Sequence, residues 1–84
     1  MANVQLTDQA RAQFDGLPVA IKERMHKLFA RLADWPQVSG VKSLKGDLAG
    51  WHRLRTGDYR LRFHVQGDLV VVDKIGHRKD VYDD

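Results

Sequence analysis

Two short segments hold most of the side chains in this sequence that could act on a phosphate. The first runs from Gly50 to Phe63 and carries Trp51, His52, Arg53, Arg55, Arg60 and Arg62, with His64 just after it. The second runs from Gly76 to Tyr82 and carries His77, Arg78 and Tyr82. A guanidinium offers a planar fork of N–H donors that matches phosphate oxygens. An imidazole exchanges a proton near neutral pH. A tyrosine can stack on a base or donate a hydrogen bond. Cleavage of RNA by its own 2′-hydroxyl needs groups of this kind: a base for the hydroxyl, cations for the phosphate oxygens and an acid for the leaving 5′-oxygen. That chemistry needs no metal or other cofactor, and none is expected. The histidines at 26, 52, 64 and 77 form no close pair, and the chain has no cysteine.

A β-hairpin is the element that would position the first segment. Gly57-Asp58 reads as a two-residue turn with glycine first, the preference of a type II′ hairpin. That turn sets Thr56 opposite Tyr59, Arg55 opposite Arg60, Leu54 opposite Leu61 and Arg53 opposite Arg62. His52 then faces Phe63, and Trp51 faces His64. Alternation puts His52, Leu54, Tyr59, Leu61 and Phe63 on one side, the side expected to meet helices. Trp51, Arg53, Arg55, Arg60, Arg62 and His64 fall on the other side, with no carboxylate among them. Like charges directly opposite each other destabilise a hairpin, by up to about 1 kcal/mol per pair. A second turn at Gly67-Asp68 sets Asp73 opposite Arg62, which reads as a structural ion pair. Arg53, Arg55 and Arg60 are then the candidates for an external anion. A solvated sheet face or an acidic protein partner would account for the same arginines. His77 could equally form a local hydrogen bond, and Tyr82 could anchor the chain end.

The rest of the chain supplies the scaffold. Val4 and Leu6 alternate with polar residues, a short first strand. Thr7 is a plausible N-cap, with Asp8 in the first turn of a helix that carries Ala10, Phe14 and Leu17. Gly16 breaks this helix and Pro18 can open the next. There Ile21, Met25, Leu28, Phe29 and Leu32 recur at steps of three and four, opposite Lys22, Arg24, Lys27 and Arg31. His26 on this helix reads as structural. Trp35-Pro36 ends the helix. Residues 36–50 read as a loop bearing the basic pair Lys42 and Lys45. Strands follow at 51–56, 59–66 and 69–75, and the Leu-Val-Val-Val run of the last suggests burial on both faces. The order is β-α-α-β-β-β: an α+β fold with a helical hairpin on one face of a mainly antiparallel sheet.

With 84 residues the chain is expected to form a single domain, 1–84. An apolar content of 43% suits a globular protein rather than a disordered one. No apolar run approaches the roughly 20 residues of a membrane span, and no secretory signal is evident, so a cytoplasmic location is expected. Net charge is only +3, but it is uneven. Residues 42–79 hold nine basic and four acidic side chains, a net of +5, and Asp80, Asp83 and Asp84 follow. The basic excess favours an anionic partner for the second half.

In Leu44-Lys-Gly46, Arg53-Leu-Arg-Thr-Gly-Asp-Tyr-Arg60 and Gly76-His-Arg-Lys-Asp-Val-Tyr82, the sequence resembles the RelE/ParE superfamily of type II toxin–antitoxin toxins. The helix pair agrees in length and pattern, so the resemblance covers nearly the whole chain. The RelE branch implies a ribosome-dependent endoribonuclease that cuts mRNA codons, held in check by an acidic antitoxin in a hetero-oligomer. On that resemblance Arg60 contacts the scissile phosphate, Arg78 stabilises the transition state and Tyr82 stacks on a codon base. Arg53 and Trp51 fall where RelE enzymes carry lysines, one of them proposed as a base. Arginine stays protonated and is a poor base, so His77 becomes the candidate, with His64 behind it. Lys42, Lys45, Trp51, Arg55 and His64 are the candidate RNA-binding residues around this centre. Family members often continue into a C-terminal helix, whereas only two residues follow Tyr82 here. The ParE branch implies inhibition of DNA gyrase by binding instead, and a degenerate member would keep only antitoxin binding.

Overall fold

A computed structural model describes residues 1–81; the expected role of Tyr82 lies outside the described residues. The chain order is β1 (Asn3–Leu6), α1 (Asp8–Asp15), α2 (Val19–Leu32), β2 (Lys42–Ser43), a 3-10 turn (Gly46–Leu48), β3 (His52–Thr56), β4 (Tyr59–Gln66) and β5 (Leu69–His77). The five strands form one sheet in the order β1-β5-β4-β3-β2. Only β1 and β5 run parallel; the other pairs are antiparallel. This is the α+β arrangement expected from the sequence, with one strand more than the sequence pattern shows. β2 is two residues long, too short to display alternation, and it lies within the segment expected to be a loop.

Local chemistry explains the helix boundaries. Thr7 Oγ1 accepts the Ala10 N–H at 3.1 Å, a cap worth about 1 kcal/mol. Asp8 adds a negative charge at the positive end of the α1 dipole. Pro18 is the N-cap of α2, where its missing N–H leaves no donor to satisfy. α2 buries Met25, Leu28 and Leu32, and these pack with Ala10 of α1 on Leu54, Leu61, Phe63, Val70, Val72 and Ile75 of the sheet. Each large apolar side chain buried this way contributes about 1.5–3 kcal/mol. None of the helices among the described residues is long and apolar enough to cross a membrane.

The β3–β4 register matches the expected one from Thr56↔Tyr59 to His52↔Phe63. At both hairpin turns the glycine has positive φ, 59° at Gly57 and 62° at Gly67, and the aspartate after it does not. That is the glycine-first, type II′ requirement. The β4–β5 register departs from the expectation. A bulge between Arg62 and Phe63 pairs Phe63 with Val72 but Arg62 with Lys74, so Asp73 is the extra residue. The cause is legible in the core. Val70 and Val72 are two apart, whereas Ile75 is three beyond Val72, and all three are buried. Without the extra residue, Lys74 would face the helices and Ile75 would turn away. The strand also runs two residues past Ile75, to His77. Nor is it buried on both sides: Leu69 and Val71 are half-exposed on the face away from the helices.

Candidate nucleic-acid interface

Residues directly opposite in a ladder share a face, so the register defines the surface that the helices leave open. Lys42 lies opposite Arg53, Arg53 opposite Arg62 and Arg55 opposite Arg60, Arg62 opposite Lys74 and Arg60 opposite Gly76. His64, opposite Val71, is on the same face. The sequence expectation missed Lys74 here, and the 2-then-3 spacing of Val70, Val72 and Ile75 was the signal that could have revealed it.

One arginine is structural. Arg62 donates from Nε to Asp73 Oδ1 at 3.0 Å and from Nη2 to Asp73 Oδ2 at 2.6 Å. Both side chains are mostly buried, and the hydrogen bonds to Asp73 hold the guanidinium above its ordinary pKa despite the cost of burial. The ion pair is the expected one, reached through the bulge rather than by direct opposition. Arg62 also lies 4.8 Å over the Trp51 ring. Trp51 in turn meets His64 edge to face, with centroids 4.6 Å apart. Trp51, a candidate for binding RNA, therefore has a packing role beside Arg62.

Arg53 and Arg60 are half-buried on this face and each is engaged in an interaction within the chain. Arg55, Lys42 and Lys45 are exposed. Lys45 stands apart from the ladder, at the start of the 3-10 turn. Lys42 and Lys45 line a small cleft of about 260 Å³ with Ser43 and Leu44. Arg78 is exposed just beyond β5, and its N–H donates to the Asp58 carbonyl at 2.8 Å. Arg78 lies in the turn that follows His77, and this hydrogen bond sets its backbone beside the β3–β4 turn.

His77 is not brought to this face. It lies opposite Tyr59, and the two rings meet edge to face at 5.4 Å. Tyr59 and His77 continue the Leu61–Ile75 side, which faces the helices, and they line a cleft of about 400 Å³ with Gln13, Leu17 and Pro18. The Lys79 N–H approaches His77 Nδ1 at 3.2 Å, the local bond that was the alternative role for this residue. His52 is on the core side as expected, between Trp35 and Phe63. Its Nδ1 is 3.1 Å from Ser43 Oγ, and burial pushes its pKa below the ordinary value. His26 rests against Phe14 and Phe29.

Val81 lies against the arginine face. It is buried but does not belong to the core cluster. A Cβ placed on Gly76 would meet Val81 Cγ2 at 3.5 Å, so Val81 packs over Gly76, beside Arg60. No sequence pattern pointed to this valine, because a lone apolar residue near a terminus has no periodicity to read.

A helical hairpin covering one face of a mainly antiparallel five-stranded sheet is a fold that several solved structures share. The toxin–antitoxin complex RelBE2 from Mycobacterium tuberculosis contains a chain 26% identical over 92% of this chain and 98% of that one, with a TM-score of 0.80. The isolated E. coli RelE toxin shares the fold at a TM-score of 0.78, with 17% identity over 92% of this chain and 84% of that one. Among curated proteins, Toxin RelE3 of Methanocaldococcus jannaschii is 37% identical over 43 residues, 51% of this chain and 48% of that protein. The chain thus aligns with about half the length of this relative. Residues 4–82 match the family described as "ParE toxin of type II toxin-antitoxin system, parDE", and the chain belongs to that family.

Proposed function

We propose that this chain is the toxin of a type II toxin–antitoxin pair and that it cuts mRNA on the ribosome by 2′-hydroxyl attack, in the cytoplasm and without a metal. The observation that carries this reading is the open face shared by Arg53, Arg55 and Arg60, with Arg78 in the turn just beyond β5. Arg60 and Arg53 hold the non-bridging oxygens of the scissile phosphate. Arg78 neutralises the charge that builds as the phosphorus becomes five-coordinate. The 2′-oxygen bonds to phosphorus, the P–O5′ bond breaks, and a proton passes from the 2′-hydroxyl to the base. Solvent protonates the leaving 5′-oxygen. Tyr82 would stack on a base of the codon.

The base assignment moves from His77 to His64. His64 shares the face with Arg53, at the diagonal position, about 7–8 Å away between backbones. His77 projects from the opposite side of β5, where a phosphate on the arginine face does not reach it. His64→Ala should therefore reduce cleavage more than His77→Ala; the reverse order would return the base role to His77. An acidic antitoxin is the expected partner, neutralising the same face.

A second reading is supported by the matching family itself, whose description is that of ParE toxins. Arginine and tryptophan at Arg53 and Trp51 also stand where RelE-like enzymes carry lysines. In that reading the protein inhibits DNA gyrase by binding. Expression in bacteria followed by mapping of mRNA 5′ ends separates the two. Cuts within codons that vanish when translation is blocked support cleavage. Intact mRNA with accumulated DNA breaks supports gyrase inhibition.

A further inference from the structure

The β3–β4 turn carries a contact that neither the hairpin nor the core requires. A Cβ placed on Gly57 would meet Arg24 Nη1 at 3.4 Å. The Arg24 guanidinium of α2 therefore rests against the hairpin tip, while the residue remains exposed. Gly57 is two residues, about 7 Å, from Arg55, and Arg55 is opposite Arg60. The same tip holds Arg78 through the Asp58 carbonyl. Arg24 thus rests on the turn, with the backbones of Arg55, Arg60 and Arg78 close by, while the carboxylates of this neighbourhood are Asp58 in the turn and Asp80 beside Gly76, opposite Arg60. Arg24 approaches from the helix side, whereas Arg55 and Arg60 belong to the open face.

We infer that the phosphate-binding surface does not end at the sheet but wraps round the β3–β4 turn, and that Arg24 binds a backbone phosphate of the RNA just outside the cleaved step. This inference rests on the reading of the open face as an RNA site and extends it to a flanking nucleotide. A strand of RNA has a phosphate at every residue, so a cation beside the edge of the site captures the next one without reading a base. Lys27, one helical turn further along α2 and also exposed, would take the phosphate after that.

The test uses the full chain and fluorescent 2′-O-methyl RNA, which lacks the attacking hydroxyl, in lengths of about 4 and 12 nucleotides. Arg24→Gln should weaken binding of the long RNA about five- to tenfold, leave the short RNA unaffected, and flatten the salt dependence by about 0.7 in log–log slope, the loss of one single-strand phosphate contact. Arg11→Gln, an exposed arginine on α1, is the control and should change neither. If Arg24→Gln behaves like Arg11→Gln, or weakens both lengths equally, the inference is overturned. Arg60→Ala separates this failure from a failure of the parent reading. Loss of both RNAs in Arg60→Ala with no effect of Arg24→Gln rejects only the extension. Unchanged binding in Arg60→Ala rejects the RNA site and the extension together; if the native chain holds neither RNA in free solution, the same comparisons are read on ribosomes programmed with 2′-O-methyl mRNA.

Discussion

The two faces of β3, β4 and β5 are made by alternate residues of the same strands, yet they follow opposite rules. On the helix side Leu54, Leu61, Phe63, Val72 and Ile75 are all but inaccessible. On the open side two arginine pairs lie directly opposite each other, Arg53 with Arg62 and Arg55 with Arg60. The first face lowers the free energy of the fold by removing apolar surface from water. The second sets like charges side by side, with Arg62 paired to Asp73 and with Arg53 and Arg60 each in an interaction of its own. Such a face gains less from folding than the apolar one does, which fits the anionic partner proposed for it.

Substitutions on the two faces should therefore separate stability from activity. The largest expected effect is on the helix side. Phe63→Ala removes a fully buried ring that also packs edge to face on Trp35 at 5.4 Å. Thermal or denaturant unfolding should show a loss of about 3–5 kcal/mol, and activity would disappear with the fold. On the open side, Arg60→Ala and Arg78→Ala should each slow the proposed RNA cleavage by about 10²–10³, the scale of losing one oxyanion-type donor, with far less change in melting temperature than Phe63→Ala. Toxicity and melting temperature measured on the same variants check the division. Two fully toxic, normally folded arginine variants would break it.

How much of this contrast the sequence reveals depends on the kind of signal. The helices, the two glycine-first turns and the β3–β4 register are local patterns, written in consecutive residues, and all are legible. The bulge at Asp73 is not. A uniform alternation was assumed along β5, and only the wider gap before Ile75 contradicts it. The same bulge decides the face of His77, which with it lies on the helix side opposite Tyr59. β2 and the Val81–Gly76 contact are tertiary facts, set by where the chain returns, and two residues or one carry no period.

Asp73 tests whether the open face depends on its internal anion. Asp73→Ala leaves Arg62 between Arg53 and Lys74 and should cost about 1–3 kcal/mol, because a largely buried guanidinium loses its acceptors. Arg62→Ala combined with Asp73→Ala should cost less than Asp73→Ala alone. Added phosphate should raise the melting temperature of Asp73→Ala more than that of the native chain, since an external anion can replace the lost carboxylate. Equal phosphate responses would mean that Arg62–Asp73 is irrelevant to charge balance on this face.

The smallest effect concerns the edge where the two faces meet, at His52. Its ring is on the core side between Trp35 and Phe63, and burial lowers its pKa. The sign follows from linkage. The folded state binds the His52 proton more weakly than the unfolded chain does. The stability that neutral His52 contributes is fully present above the unfolded value, about 6.5. It is lost as pH falls below that value toward the lower folded one. Melting temperature should therefore drop between about pH 8 and pH 5.5, and His52→Phe should drop less over the same interval, since a phenyl ring keeps the aromatic contacts and has no proton to take up. Equal slopes for His52→Phe and the native chain would place the acid sensitivity outside the helix-covered face.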